Sequence, residues 1–362
     1  MGDELRRLIL LILLLLLLAL PVAATEGIEI DTSGVENGLT DEASELMPVR
    51  EVQNSGSFWT GCKRIICAAF EKSTASLREA LRLCAILLAV LLLCAVADLQ
   101  LFKDGSTAVT VVGALGLTAA ILTSFGSMVT MAKETVTALA DYGALLLPAM
   151  ATASAMSGGI TSASALYAGT LLFTQLLMRL ISSILIPAVY LYLALSLAEA
   201  ALSNEMLTEL RSFVGWLISK SLRILLYVFL GYMSLTGVIS GTADAAAVKA
   251  TKAAVSGMVP VVGSMISDAS ESILSSALLI KSSVGVFGML AVISICVVPF
   301  LRVGVHYLLL KVTAAVGGTV GMKPHITLLR NFSTAMGYLL AMCGTCALLL
   351  FISVVCFLKV AV

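Results

Sequence analysis

The sequence predicts an all-α, polytopic transmembrane helical bundle, with room for re-entrant or interfacial amphipathic segments among its spans. Three observations predict it. Of 362 residues, 59% are hydrophobic and 12% charged, where a soluble domain carries about 25% charged residues. The mean hydropathy is +1.05. Apolar stretches of roughly 20 residues, the length of a bilayer crossing, recur along the chain. Lys plus Arg equals Asp plus Glu at 22 each, so no global field attracts nucleic acid, and lipid and protein are the expected partners.

Residues 1–24 read as a secretory signal peptide, because Arg6 and Arg7 precede the apolar run LILLILLLLLLAL and the small residues PVAA follow it. Cleavage after Ala24 is expected, with an uncleaved anchor as the competing reading. Residues 25–57 are acidic and Gly/Ser-rich, the composition of a flexible exported linker. Over 58–82, Ile65, Ile66, Ala69, Leu77 and Leu81 fall at helical spacing against Lys63, Arg64, Glu71, Lys72, Arg78 and Arg82. That predicts an amphipathic helix, lying on a membrane surface, packing on a partner, or leading as a solvated helix into the first span. With a working signal, Cys62 and Cys67 lie outside the cytoplasm, and a disulfide between them is open.

Residues 83–362 form the membrane domain, with about six or seven apolar segments: 83–102, 108–131, 139–157, 165–198, 213–241, 284–310 and 334–358. Segments 108–131 and 139–157 are rich in Gly, Ala, Ser and Thr, which suits close helix packing but weakens insertion, so one of them is a candidate to dip in and return. Segment 165–198 exceeds one span, and Pro187 is expected to kink or end it. Counting Arg211, Lys311, Lys323 and Arg330 against Lys249, Lys252 and Lys281 places the connection 242–283 outside the cytoplasm. Pro148 and Pro260 lie 112 positions apart in similar surroundings, and this organisation suggests a two-fold internal repeat of the kind that frames a central site in transporters. Compositional bias alone makes membrane segments look alike, and that reading stays open beside it.

The stretch MVPVVGSMISDASESILSS (258–276) is the least lipid-like of the late chain. Pro260 and Gly263 bend or break a helix, and Asp268 and Glu271, three apart, share a polar face. An acid in a membrane domain is costly unless it faces water, a partner or a cation. The stretch therefore reads as a path-lining or re-entrant element, or else as an interfacial helix. Conventional catalytic signals are missing: the two His residues, His306 and His325, have no Ser/His/Asp or Glu/His arrangement beside them, and no nucleotide-binding GxxxxGK[ST] occurs. Cys343 and Cys346 form CGTC inside an apolar segment without a second pair at ligand spacing, the pattern of small packing residues. The expectation is a non-enzymatic protein with no cofactor and no metal.

Three blocks carry a resemblance: LTAAILTSFGSMVTMAKETVTALADYGALLLPAMATASAMSGGITSASAL (117–166), VPVVGSMISDASESILSSALLIKSSVG (259–285) and NFSTAMGYLLAMCGTCALLLFISVV (331–355). Together with the signal peptide and the acidic exported linker they resemble the stage III sporulation protein AE family of endospore-forming bacteria. The resemblance implies a polytopic subunit of the channel-like or secretion-like complex that joins mother cell and forespore. It would work in a hetero-oligomer with the stage III sporulation proteins AA to AH and the forespore's stage II sporulation protein Q, an ATPase among them supplying energy. The membrane implied is the mother-cell-derived one around the forespore. On this reading Pro148, Gly158, Gly159, Pro260 and Gly263 shape the backbone, and Asp268 and Glu271 are the candidate polar contacts. The rival readings are a stand-alone secondary transporter of a small solute and a purely structural scaffold.

Overall fold

A computed structural model describes residues 40–46, 58–100, 106–202, 204–258, 262–319 and 323–359; over 41–42, 99–100, 106–107, 237–277 and 279–281 only the backbone path is given. Every regular element among the described residues is helical: α1 (Asp41–Leu46), α2 (Phe58–Lys72), α3 (Thr74–Gln100), α4 (Ser106–Met156), α5 (Ile160–Leu180), a π-helical turn (Ile181–Leu185), α6 (Ile186–Leu202), α7 (Glu205–Met258), α8 (Val262–Gly317) and α9 (Lys323–Lys359). Among them, six helical stretches are long and apolar enough to cross a membrane, α5, the π turn and α6 counting as one. The signal peptide and Pro260 lie outside the described residues. Of the linker, only residues 40–46 are described.

The amphipathic region departs from expectation. It is two helices, with a turn at Ser73 where the hydroxyl and the N–H both bond the Ala69 carbonyl. Gly61, Cys62, Ile65 and Ala69 make the buried stripe of α2, and α2 packs on α8 of its own chain. Leu77 and Leu81, assigned to the same apolar face, are exposed. Cys62 is buried and Cys67 exposed, both as free thiols. Five residues apart on one α-helix, they point to different faces and cannot be bridged. Part of the linker is ordered too: Ala43 and Leu46 of α1 are buried, and Lys72 of α2 pairs with Glu45.

Segments 108–131 and 139–157 are one helix, α4, of 51 residues, about 76 Å at 1.5 Å per residue. Neither dips in and returns on its own. The intervening AKETVTA has strong helix formers and no Gly or Pro, and Lys133 and Glu134 point outward, so nothing there breaks the helix. Pro187 does not end its segment either: the π turn precedes it, with the Ile186 N–H donating to the Ile181 carbonyl. A widened turn at this place accommodates a ring that would clash with a regular preceding turn. α7 begins at an Asn cap, the Met206 N–H donating to Asn204 Oδ1 at 2.9 Å. The connection 242–283 is not a loop. Helix α7 runs to Met258 and α8 resumes at Val262, two arms of a long helical hairpin.

α9 is the centre of the bundle. Of its most apolar stretch 78% is buried and of that in α8 67%, against 28–39% in the other four. α9 packs on α4, α5, α6, α7 and α8. Inside a bilayer the hydrophobic effect gives little reason for helices to associate, so close packing and interhelical hydrogen bonds carry the assembly. The packing here sets small residues against large ones: Leu350 of α9 fills the space beside Gly143, and Leu146 of α4 that beside Gly288.

Candidate functional site

Each backbone-shaping residue named from the sequence has a different fate. Pro148 sits inside α4, which continues through it to Met156. Gly158 and Gly159 close that helix. The Gly159 N–H donates to the Ser154 carbonyl and the Gly158 N–H to that of Ala155, each at 3.0 Å, the paired bonds of a Schellman turn. Gly158 has φ 94°, a left-handed conformation that a Cβ opposes. Gly159 then begins α5, its carbonyl accepting from the Ala163 N–H at 2.8 Å. Gly263, Asp268 and Glu271 lie in the first turns of α8, continuous with the span Ser282–Gly317 rather than in a separate interfacial helix. Pro148 therefore has a helix-interior setting, while Gly158 and Gly159 form the turn that follows the same helix.

The structure instead assembles a polar cluster from α6, α7 and α9. Arg211 Nε bonds Glu199 Oε2 at 2.6 Å, with the two side chains 15% and 13% exposed. Thr208 donates to the other carboxylate oxygen at 2.9 Å. Arg211 Nη1 donates to the Tyr192 hydroxyl at 3.2 Å, and that hydroxyl donates to Asn331 Oδ1 at 3.4 Å. Tyr338 packs edge-on against Tyr192, ring centroids 5.4 Å apart. The guanidinium also sits 5.6 Å from the Tyr192 ring centre. Every charge here is matched, as partly buried charge requires, and the result ties the α6–α7 hairpin to the central helix. Sequence reading missed it because Tyr192 and Asn331 are 139 residues apart. The local signal was present in LAEAALSNEMLTELR: the Asn cap marks a tight helical turn, which brings Glu199 and Arg211 opposite one another.

Two further polar positions lie in the core. His306 Nδ1 bonds the Arg302 carbonyl of its own helix at 2.9 Å, and His325 Nε2 bonds the Thr110 carbonyl at 3.0 Å. Cys343 and Cys346 direct their sulfurs toward the Ala132 and Val136 carbonyls of α4 at 3.7 and 4.0 Å. No group of three or more His, Cys, Asp or Glu with metal-binding geometry occurs among the described residues. An open groove of about 700 Å³ runs beside α4, lined by Thr130, Lys133, Glu134, Thr137, Asp141 and Tyr190 among others.

These features describe a helical bundle held by internal polar ties. The family model for stage III sporulation protein AE matches residues 46–361. The chain belongs to the stage III sporulation protein AE family. A curated relative, stage III sporulation protein AE of Bacillus subtilis (strain 168), is 27% identical over 232 residues, covering 64% of this chain and 58% of that protein. The chain thus spans a little over half the length of the curated relative it matches. No solved structure matches the chain. Membership carries a role in sporulation and sets the chain within the stage III set; the six helices make it an integral membrane protein.

Proposed function

We propose that this chain is a non-enzymatic membrane subunit of the channel or secretion-like complex connecting mother cell and forespore, required for forespore development. The observation that carries the reading is the family match over 46–361. The proposed partners are the stage III sporulation proteins AA to AH and stage II sporulation protein Q, in a hetero-oligomer seated in the mother-cell-derived membrane around the forespore. The helix α8 supports a contact role for Asp268 and Glu271: both stand on a helix continuous with a span, and an acid in a membrane domain is costly unless it faces water, a partner or a cation. On the Lys/Arg count the tip of the α7–α8 hairpin lies outside the cytoplasm.

The test is sporulation of a strain whose only copy carries Asp268→Ala with Glu271→Ala. Fewer heat-resistant spores at unchanged protein level is the expected result. Normal spore yield would remove the pair from the function. Purified chain in liposomes is expected to carry no small solute alone, and flux by the isolated chain would favour a stand-alone transporter instead.

A further inference from the structure

The open groove of about 700 Å³ beside α4 holds charge that the chain does not match. Glu199 pairs with Arg211 and Glu45 with Lys72. Lys133, Glu134 and Asp141, which line the groove and are exposed, make no ion pair among the described residues. Thr130, Lys133, Glu134, Thr137 and Asp141 recur at helical spacing, so they share one face of α4. Along that face Lys133 and Asp141 are eight positions apart, about 12 Å, too far to pair directly.

The two ends of the groove differ in chemistry. At one end are donors: the Lys133 ammonium, the Thr130 hydroxyl and the phenol of Tyr190, whose ring packs edge-on to Phe125 with centroids 6.0 Å apart. At the other are acceptors. Asp141 brings a carboxylate, and Thr137 Oγ1 donates its proton to the Lys133 carbonyl at 3.0 Å, which leaves it only lone pairs to offer. Glu134 stands between the ends, and one lysine against two carboxylates makes this wall net negative. A purely anionic ligand is therefore disfavoured, and one that carries an ammonium beside its anion is matched. Past the donor end the same face turns apolar: Leu122 and Leu115, eleven and eighteen positions before Lys133, are just over half exposed in line with it.

Apolar surface, cation, then anion is the complement of an acyl chain, a phosphate and an ammonium in that order. We infer that the groove binds the headgroup of an aminophospholipid of the phosphatidylethanolamine class. The phosphate lies at Lys133, Thr130 and Tyr190, and the ammonium at Asp141 and Thr137. A gap of about 12 Å takes the two groups, their ethylene bridge and a charge-assisted hydrogen bond at each end. Phosphatidylcholine brings the phosphate but has no N–H to donate, and phosphatidylglycerol brings no cation. The rival occupant is the chain itself, since Thr40, the first residue described, also lines the groove. Residues 25–39 before it carry Glu26, Glu29, Asp31 and Glu36 without a Lys or Arg, the wrong sign for a wall that is already negative. The inference uses the membrane class alone and is independent of the channel reading above.

The experiment places the full chain in nanodiscs of equal parts phosphatidylethanolamine, phosphatidylcholine and phosphatidylglycerol with identical acyl chains, and counts by native mass spectrometry the lipids retained on release. Phosphatidylethanolamine is expected to be retained over either of the others by roughly two- to five-fold, the factor an exposed ion pair gives. Asp141→Asn should erase its advantage over phosphatidylcholine, and Lys133→Gln should lower retention of both. Both side chains are exposed, and circular dichroism checks that the variants keep their helices. Displacement of the lipid by soluble glycerophosphoethanolamine would show that the headgroup alone suffices, and preference without displacement that the acyl chains are needed too. Equal retention by the unaltered chain, or a preference that neither substitution changes, would overturn the assignment. So would a preference that emerges only after deletion of residues 25–39, which would give the groove to the chain's own linker.

Discussion

Gly158 holds a backbone conformation that costs other L-residues about 1–2 kcal/mol, and the two bonds of its turn join the halves of an uncharged helical hairpin. Gly158→Ala is therefore expected to lower stability by about that amount, with Gly158→Asn losing less, because Asn tolerates left-handed φ. Thermal unfolding in detergent, followed by circular dichroism, checks the order. At Glu199 and Arg211 the expectation rests on asymmetry. Arg211→Leu alone leaves a mostly buried carboxylate without its cation, a loss of about 3–5 kcal/mol, whereas replacing both residues by Leu costs less than the sum of the single changes. A double-mutant cycle measured by reversible unfolding would give that sign, and additivity would show that the pair is solvated. Gly158 stands in a GG turn readable from the sequence; Asn331 gave no such sign, because its role is set by a tyrosine on a helix far away in the chain.

Helix-to-helix contacts show why neighbouring glycines differ. A Cβ at Gly169 of α5 would collide with the Tyr232 ring, while one at Gly231 of α7 meets nothing. Gly169→Ala is expected to displace Tyr232 and break its bond to the Ala165 carbonyl, with partial rescue by Tyr232→Leu. Gly231→Ala should be neutral or stabilising by up to about 1 kcal/mol. At α1, the Lys72 ammonium beside Glu45 holds its carboxyl below the usual range. A depressed carboxylate contributes stability above its unfolded pKa and loses it as pH falls through the folded value. Protection of the 41–46 amides, relative to their intrinsic exchange rate at each pH, should accordingly fall on acidification, and Glu45→Gln should flatten that dependence. Element type was legible where hydrophobic runs dominate, as in α9. Continuity was less so: charges at Lys133 and Glu134 look like a loop in a hydropathy trace, yet Ala, Lys and Glu propagate a helix. The π turn before Pro187 depends on register rather than composition.

At the scale of the molecule, the class and its helical build follow from the hydrophobic content, because a chain this apolar must satisfy its backbone internally when it crosses lipid. Which helix is central could not be read the same way, since α3, the most apolar stretch of the six, is peripheral while α9 is enclosed. Burial here tracks partners, and hydropathy tracks lipid or protein alike. Cavity formation should reveal the hierarchy: Phe332→Ala at the core is expected to cost about 3–5 kcal/mol, and Leu172→Ala on the exposed face little, by the same thermal unfolding.

The enclosed position of α9 bears on how such a protein is made. The four spans that pack around it precede it in the chain, so they leave the ribosome and enter the membrane before it is synthesised. Until it arrives, the faces they will close around it have no occupant, and the polar groups waiting for Asn331 and Ser353 lack their mates. The fold is built from rind to pith, and the early helices must be kept from alternative associations for the time it takes to translate the rest.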